Sequence, residues 1–119
     1  MLWTYNARAV HVVDGDTIDL DVDLGFGVRK LDRFRLVGID TPELNSTNVA
    51  ERERAARAKE RLESLVAGQP LIAHTVKDKR EKYGRYLVDL LLPDNRSVSN
   101  ILVEEGLAVA YTGGARALG

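Results

Sequence analysis

The sequence predicts an α+β fold that is mainly β: a five-stranded barrel, one long helix between the third and fourth strands, and a short helix after the fifth. Three observations predict it. Ile18, Leu20, Val22 and Leu24 alternate with Asp19, Asp21 and Asp23, the period of a half-buried strand. Ala55, Ala58, Leu62, Leu65 and Val66 recur at helical spacing. Short turn signals, Asp14-Gly15 and Gly25-Phe26-Gly27, separate the first three β-rich runs so closely that the runs must form a meander.

Ala7 to Val13 is the first strand and Ile18 to Leu24 the second, joined as a hairpin at Asp14-Gly15. Val28 to Ile39 is the third, with Phe34, Leu36 and Gly38 on one parity and Arg33, Arg35 and Val37 on the other. Gly38 inside it suggests a bulge or a close backbone approach, and Thr41-Pro42 ends it. Asn48 and Glu51 have the spacing of a capping box, and Gly68 and Pro70 stop the helix begun there. The charged residues on its other faces read as a solvated surface laced with ion pairs. Leu71 to Val76 is the fourth strand and Tyr86 to Leu92 the fifth, ended by Pro93-Asp94-Asn95. Ser99 is placed to cap a short helix through Glu105, and Leu107 to Tyr111 is a last apolar stretch. Three meander strands, a helix and two more strands is the order of an OB barrel, although periodicity alone does not separate that from another small barrel.

Composition sets limits on function. At 119 residues the chain fits one domain, residues 1–119, with one core. It has no cysteine, so a disulfide framework and a thiolate metal site are excluded. No apolar run approaches the roughly 20 residues of a membrane span, so no membrane partner is expected. No basic stretch leading into an apolar one opens the chain; no signal peptide is read there, and the expected compartment is cytoplasmic by default. A net charge of −1 argues against tight nonspecific binding of nucleic acid, which relies on neutralising phosphates, but leaves room for a locally basic face.

Four segments carry the chemistry: Val13-Asp14-Gly15-Asp16-Thr17, Arg35-Leu36-Val37-Gly38-Ile39-Asp40-Thr41-Pro42-Glu43, Lys82-Tyr83-Gly84-Arg85 and Glu105-Gly106-Leu107-Ala108. Asp16 and Asp40 stand at strand ends, where carboxylate and carbonyl oxygens on firm backbone suit a hard cation. Arg35 and Arg85 are fixed positive forks that match phosphate oxygens. Glu43 can take or orient a water's proton. Carboxylates, a cation, two guanidiniums and a further carboxylate are the parts needed to hydrolyse a phosphodiester. Taken singly, each has a plainer reading: Asp-Gly-Asp-Thr as a hairpin turn, Arg35 as a surface strand residue, Thr41-Pro42-Glu43 as a helix entry, Arg85 as an ion-pair partner. Their joint occurrence in this order is the specific signal. His11 and His74 sit in strands without supporting residues and read as structural or surface groups.

In combination these segments resemble the thermonuclease family, the staphylococcal-nuclease-like domains, from about Val10 to Tyr111. The resemblance implies Ca²⁺ held by Asp16, Asp40 and the backbone carbonyl of Thr41, with Asp14 as a supporting carboxylate. It implies a catalytic trio of Arg35, Glu43 and Arg85, and substrate contacts from Tyr83, Lys82 and Tyr111. The implied activity is cleavage of DNA or RNA that leaves 3′-phosphate ends. The alternatives are a noncatalytic OB barrel that binds nucleic acid and a protein-interaction module; both would be expected to lack part of the polar set, which is complete here. Departures from the family pattern are the short Leu44–Ala50 loop without lysines, Glu81 before Lys82 and an extended turn at Gly25-Phe26-Gly27; residues 112–119, with Gly113, Gly114 and Gly119, are not expected to form the family's helix after Tyr111. Leu107, Val109 and Leu118 would then lie over an incompletely covered flank. The expectation is a weakly stable domain, or cover by a partner or a second copy in a homo-oligomer.

Overall fold

A computed structural model describes residues 2–80 and 86–110, with backbone alone for Leu2 and residues 77–80. Strands β1 (Leu2–Asp14), β2 (Thr17–Gly25) and β3 (Val28–Leu36) precede a two-residue strand β4 (Ile39–Asp40) and helix α1 (Val49–Val66). Then come β5 (Leu71–Arg80), β6 (Tyr86–Leu91), helix α2 (Val98–Glu104) and β7 (Val109–Ala110). The five long strands close into a barrel in the order β1-β2-β3-β6-β5, with β5 pairing back onto β1. All its pairings are antiparallel except β3 with β6, which run parallel through Phe34–Tyr86, Arg35–Leu87 and Leu36–Val88. The expected five-stranded OB-like barrel with two helices is thus the observed architecture. The sequence order of strands did not reveal its second, two-stranded sheet, in which Ile39 faces Ala110 and Asp40 faces Val109.

The alternation in β2 does what its period requires. Ile18, Leu20 and Val22 are buried with Phe34 and Leu36 of β3, Val88 and Leu90 of β6, and Leu71 and Ala73 of β5. Burying such branched side chains is worth about 1.5–3 kcal/mol each, so this interior is the main source of stability. The intervening Asp19 and Asp21 face outward, where they meet Arg33 at 2.8 Å and Arg29 at 2.9 Å. These pairs are wet and contribute little individually.

Helix α1 lays its small apolar stripe, Ala55, Ala58, Leu62, Leu65 and Val66, on the barrel. Its cap is half of the expected box. Asn48 accepts a hydrogen bond from the Glu51 backbone N–H, but the Glu51 carboxylate turns to the preceding loop, accepting from the Ser46 hydroxyl and the Glu43 N–H. Helix α2 is capped by Ser97, not Ser99. Ser97 has the extended backbone a cap needs, whereas Ser99 is buried inside the helix and donates to the Val37 carbonyl.

Three boundaries differ from expectation. β1 begins at Leu2, because its first residues, Leu2 to Asn6, pair with residues Ile72 to Val76 of β5. β5 likewise runs on to Arg80. β3 ends at Leu36, where Val37 and Gly38 turn the chain before β4. Gly38 is there for its backbone angle, φ +83°, and not for a close approach, since a Cβ would meet nothing within 4 Å. Leu107 and Val109 are half-buried, Leu107 against the core; Leu118 lies outside the described residues.

Gly15 is the close approach. A Cβ there would stand 2.8 Å from the Ala58 Cβ and 3.0 Å from the Thr41 Cγ2. Gly15→Ala should therefore destabilise the fold by about 1–3 kcal/mol, as overpacking does. The cost should shrink when Ala58→Gly is already present, since that removes the methyl it strikes. Denaturant midpoints of the four chains in this cycle measure the coupling; additive effects would show that the turn has room to move.

Candidate active site

The hairpin turn, the end of β3 and the segment after β4 meet at one end of the barrel. Asp14, Asp16, Arg35, Asp40, Thr41, Pro42 and Glu43 line a cleft of about 170 Å³ there. Local sequence explains each position. The Asp14 carboxylate accepts the Asp16 N–H at 3.0 Å, an Asx turn that reverses the chain around Gly15. β2 then starts at Thr17, opposite Arg35 in the β2–β3 register. The Leu36 N–H donates to the Asp16 carbonyl at 2.8 Å, which locks the turn to β3.

Asp16 is buried, and its carboxylate is the hub. One oxygen accepts from the Thr17 hydroxyl at 3.1 Å, the other from the Thr41 N–H at 3.2 Å. Arg35 reaches it with Nη1 at 3.2 Å and reaches Asp40 with Nη2 at 3.3 Å. One guanidinium thus bridges two carboxylates from different segments. Glu43 stands exposed at the rim, its N–H tied to Glu51.

The electrostatics split the two neighbouring carboxyls. Burial, and then the Asp16 carboxyl beside it, push Asp14 up to about 6. Burial works on Asp16 in the same direction but loses. Hydrogen bonds from Asp14, Thr17 and Thr41 and the charge of Arg35 hold its carboxyl below the usual range. Asp16 keeps its charge while Asp14 resists ionising next to it. A hard cation suits this donor set, because it would relieve the repulsion that Asp14 and Asp16 exert on each other and takes only oxygen ligands. Among the described residues no three acidic or histidine side chains stand in a chelating cluster, so carboxylates here could hold an ion only with backbone and water oxygens.

The expected residues Asp14, Asp16, Arg35, Asp40, Thr41 and Glu43 are thus together. Lys82, Tyr83, Arg85 and Tyr111 lie outside the described residues. His11 and His74 are in β1 and β5, as read, and do not line the cleft. Sequence reasoning passed over Arg54 and Arg57. With Asp40 to Glu43, these two line a second, adjoining cleft of about 310 Å³. The signal was available: positions 54, 57 and 61 form one helix edge beside the apolar stripe, where a side chain borders a packed neighbour rather than open solvent.

The same sequence pattern recurs in known proteins. The family described as "Staphylococcal nuclease homologue" matches residues 33–117. The chain is 33% identical over 106 residues to an "Uncharacterized endonuclease" of Escherichia coli, covering 89% of this chain and 61% of that protein. It is 34% identical over 108 residues to "Endonuclease YncB" of Bacillus subtilis (strain 168), covering 89% and 48%. It is 29% identical over 103 residues to "Thermonuclease" of Staphylococcus hyicus, covering 87% and 57%. The chain therefore spans less than two thirds of the length of these relatives. No helix among the described residues is long and apolar enough to cross a membrane. The match covers most of the chain, including the end of β3 from Arg33, the Asp40–Glu43 segment and α1, and the chain belongs to the staphylococcal nuclease homologue family.

Proposed function

We propose that the chain is a Ca²⁺-dependent phosphodiesterase that hydrolyses DNA or RNA and leaves 3′-phosphate ends. The observation that carries this reading is the convergence of Asp16, Arg35, Asp40, Thr41 and Glu43 on one cleft. Family membership and the relatives' names, two endonucleases and a thermonuclease, support nucleic acid as the substrate.

Asp16, Asp40 and the Thr41 carbonyl would hold the ion. When bound, Ca²⁺ supplies charge neutralisation at a phosphate oxygen and helps orient a water. Everything else comes from the chain. Asp16 is fixed by four neighbours and so presents its oxygens without reorganisation. Arg35 is held in plane by two carboxylates and offers donors to the equatorial oxygens, where charge builds during in-line attack. Arg85, which enters the reading by resemblance, would add a second fork. Glu43, exposed at the rim, is free of the Arg35 bridge and would accept or orient the proton of the attacking water.

Three outcomes test this. Plasmid DNA should be nicked and degraded with Ca²⁺ and left whole with EDTA, and the ends should resist polymerase extension until a phosphatase treats them. Extension without phosphatase would refute the 3′-phosphate assignment. Asp40→Ala should abolish the rise in melting temperature that saturating Ca²⁺ gives the parent, a stabilisation of about 2.7 kcal/mol at a hundred times Kd; an equal rise in both chains would remove Asp40 from the ion's shell. Arg35→Lys keeps the charge but loses the planar fork, so kcat should fall about 10²–10³-fold with little change in KM. A lysine variant with near-parental kcat would show that Arg35 serves only as a point charge.

A further inference from the structure

Helix α1 carries a row of arginines at positions 54, 57 and 61, on one edge beside its buried stripe. The last of them is spoken for. Arg61 grips Glu105 with two hydrogen bonds of 2.8 Å, fixing this edge of α1 against the end of α2. The chain then runs from Gly106 to Val109 alongside the same edge, and β7 pairs with Asp40. Arg57 and Arg54 therefore track the second cleft toward Asp40–Glu43. Both are exposed, and among the described residues neither is in an ion pair. Arg29, Arg33, Arg35, Arg61 and Arg96, in contrast, all are.

The cleft has two kinds of wall. Pro42, Leu107, Ala108 and Val109 give an apolar floor, and two guanidiniums stand over it. Two of its three carboxylates are engaged elsewhere, Asp40 by Arg35 and both oxygens of Glu51 by hydrogen bonds from the Glu43–Ser46 loop, and the third, Glu43, stands at the rim shared with the first cleft. At about 310 Å³ it has the size of a small ligand site. It also adjoins the first cleft, sharing Asp40, Thr41, Pro42 and Glu43 with it.

We infer that this second cleft is a subsite for the nucleotide next to the scissile phosphate on a single strand, with Arg54 and Arg57 engaging its phosphate and the apolar floor receiving its base. The inference rests on the phosphodiesterase reading for the strand's position, but binding is measured apart from cleavage. Guanidinium forks match phosphate oxygens, and their flat faces also stack on bases. Cations without acidic partners release counterions on binding, which an already paired arginine does not do as fully.

The test is binding of a fluorescein-labelled twelve-nucleotide oligothymidine in EDTA, monitored by anisotropy over a salt series. Arg54→Ala with Arg57→Ala should weaken binding about tenfold. It should also lower the slope of log K against log salt by about 0.7, the value for one phosphate neutralised on a single strand. Arg54→Lys with Arg57→Lys should keep most of the slope, because charge is retained. A control removing two other cations, Arg8→Ala with Lys59→Ala, equalises net charge. An equal loss in the control, an unchanged slope in the Arg54/Arg57 variant, or a parent chain that binds no oligonucleotide would each overturn the subsite. Parent chain that binds as expected but leaves plasmid uncut in Ca²⁺ would overturn the nuclease reading and leave the subsite standing.

Discussion

Between the first hairpin and the long helix there is no room for a side chain. Gly15 packs directly against Ala58 and Thr41, so three segments distant in sequence touch at one point. That contact creates the cleft. The turn carries Asp14 and Asp16 on either side of the glycine, and the close seating brings the Asp16 carboxylate to the Thr41 N–H. A carboxylate taken out of water is costly unless its oxygens are met, and here they are met by Thr17, Thr41 and Arg35. Arg35 in turn fixes Asp40, and Asp40 is stitched to β7. Packing sets the distances, and the charges then have one low-energy arrangement.

The near-neutral net charge conceals an uneven distribution. On the outer face of β2 and β3, aspartates and arginines cancel one another across the strands, Asp19 with Arg33, Asp21 and Asp23 with Arg29, and Asp32 pairs with Lys30 along β3. Arg96 folds onto Asp94, and Arg61 onto Glu105. Such exposed pairs add little stability. Their effect is to silence charge over much of the surface, so the field around the cleft is set by few groups: the carboxylates at the barrel end and the guanidiniums of α1 beside them.

Much of the fold and the cleft is legible in the residues themselves. Period-two alternation marks the buried face of β2, because a strand alternates faces without exception, and helical spacing marks all five buried positions of α1. Asp14, Asp16, Arg35, Asp40 and Glu43 are legible as a set from their order and neighbours. What escapes is governed by contacts between distant residues. β1 gains its first residues by pairing with β5, and β4 exists only because β7 lies beside it. Ser97 and Ser99 are equally good caps by type, and backbone angle chooses between them. Spacing places Arg54 and Arg57 on one edge of α1, but what turns that edge into a cleft wall is the segment Gly106–Val109, about fifty residues further on.

The barrel's connections divide into two kinds. β1, β2 and β3 are joined by tight turns and pair locally, while the β3–β6, β1–β5 and β4–β7 pairings all join the first third of the chain to residues beyond the long helix. Local hairpins close quickly, and distant pairings wait on the entropy of the intervening loop. During synthesis, then, the meander emerges with Asp14 and Asp16 at its first turn and Arg35 opposite Thr17 on β3, but Asp40 has no β7 to hold it until Val109 has left the ribosome. Until that point a nascent chain of this kind, tethered beside its own messenger RNA, carries parts of its cleft without the cleft itself.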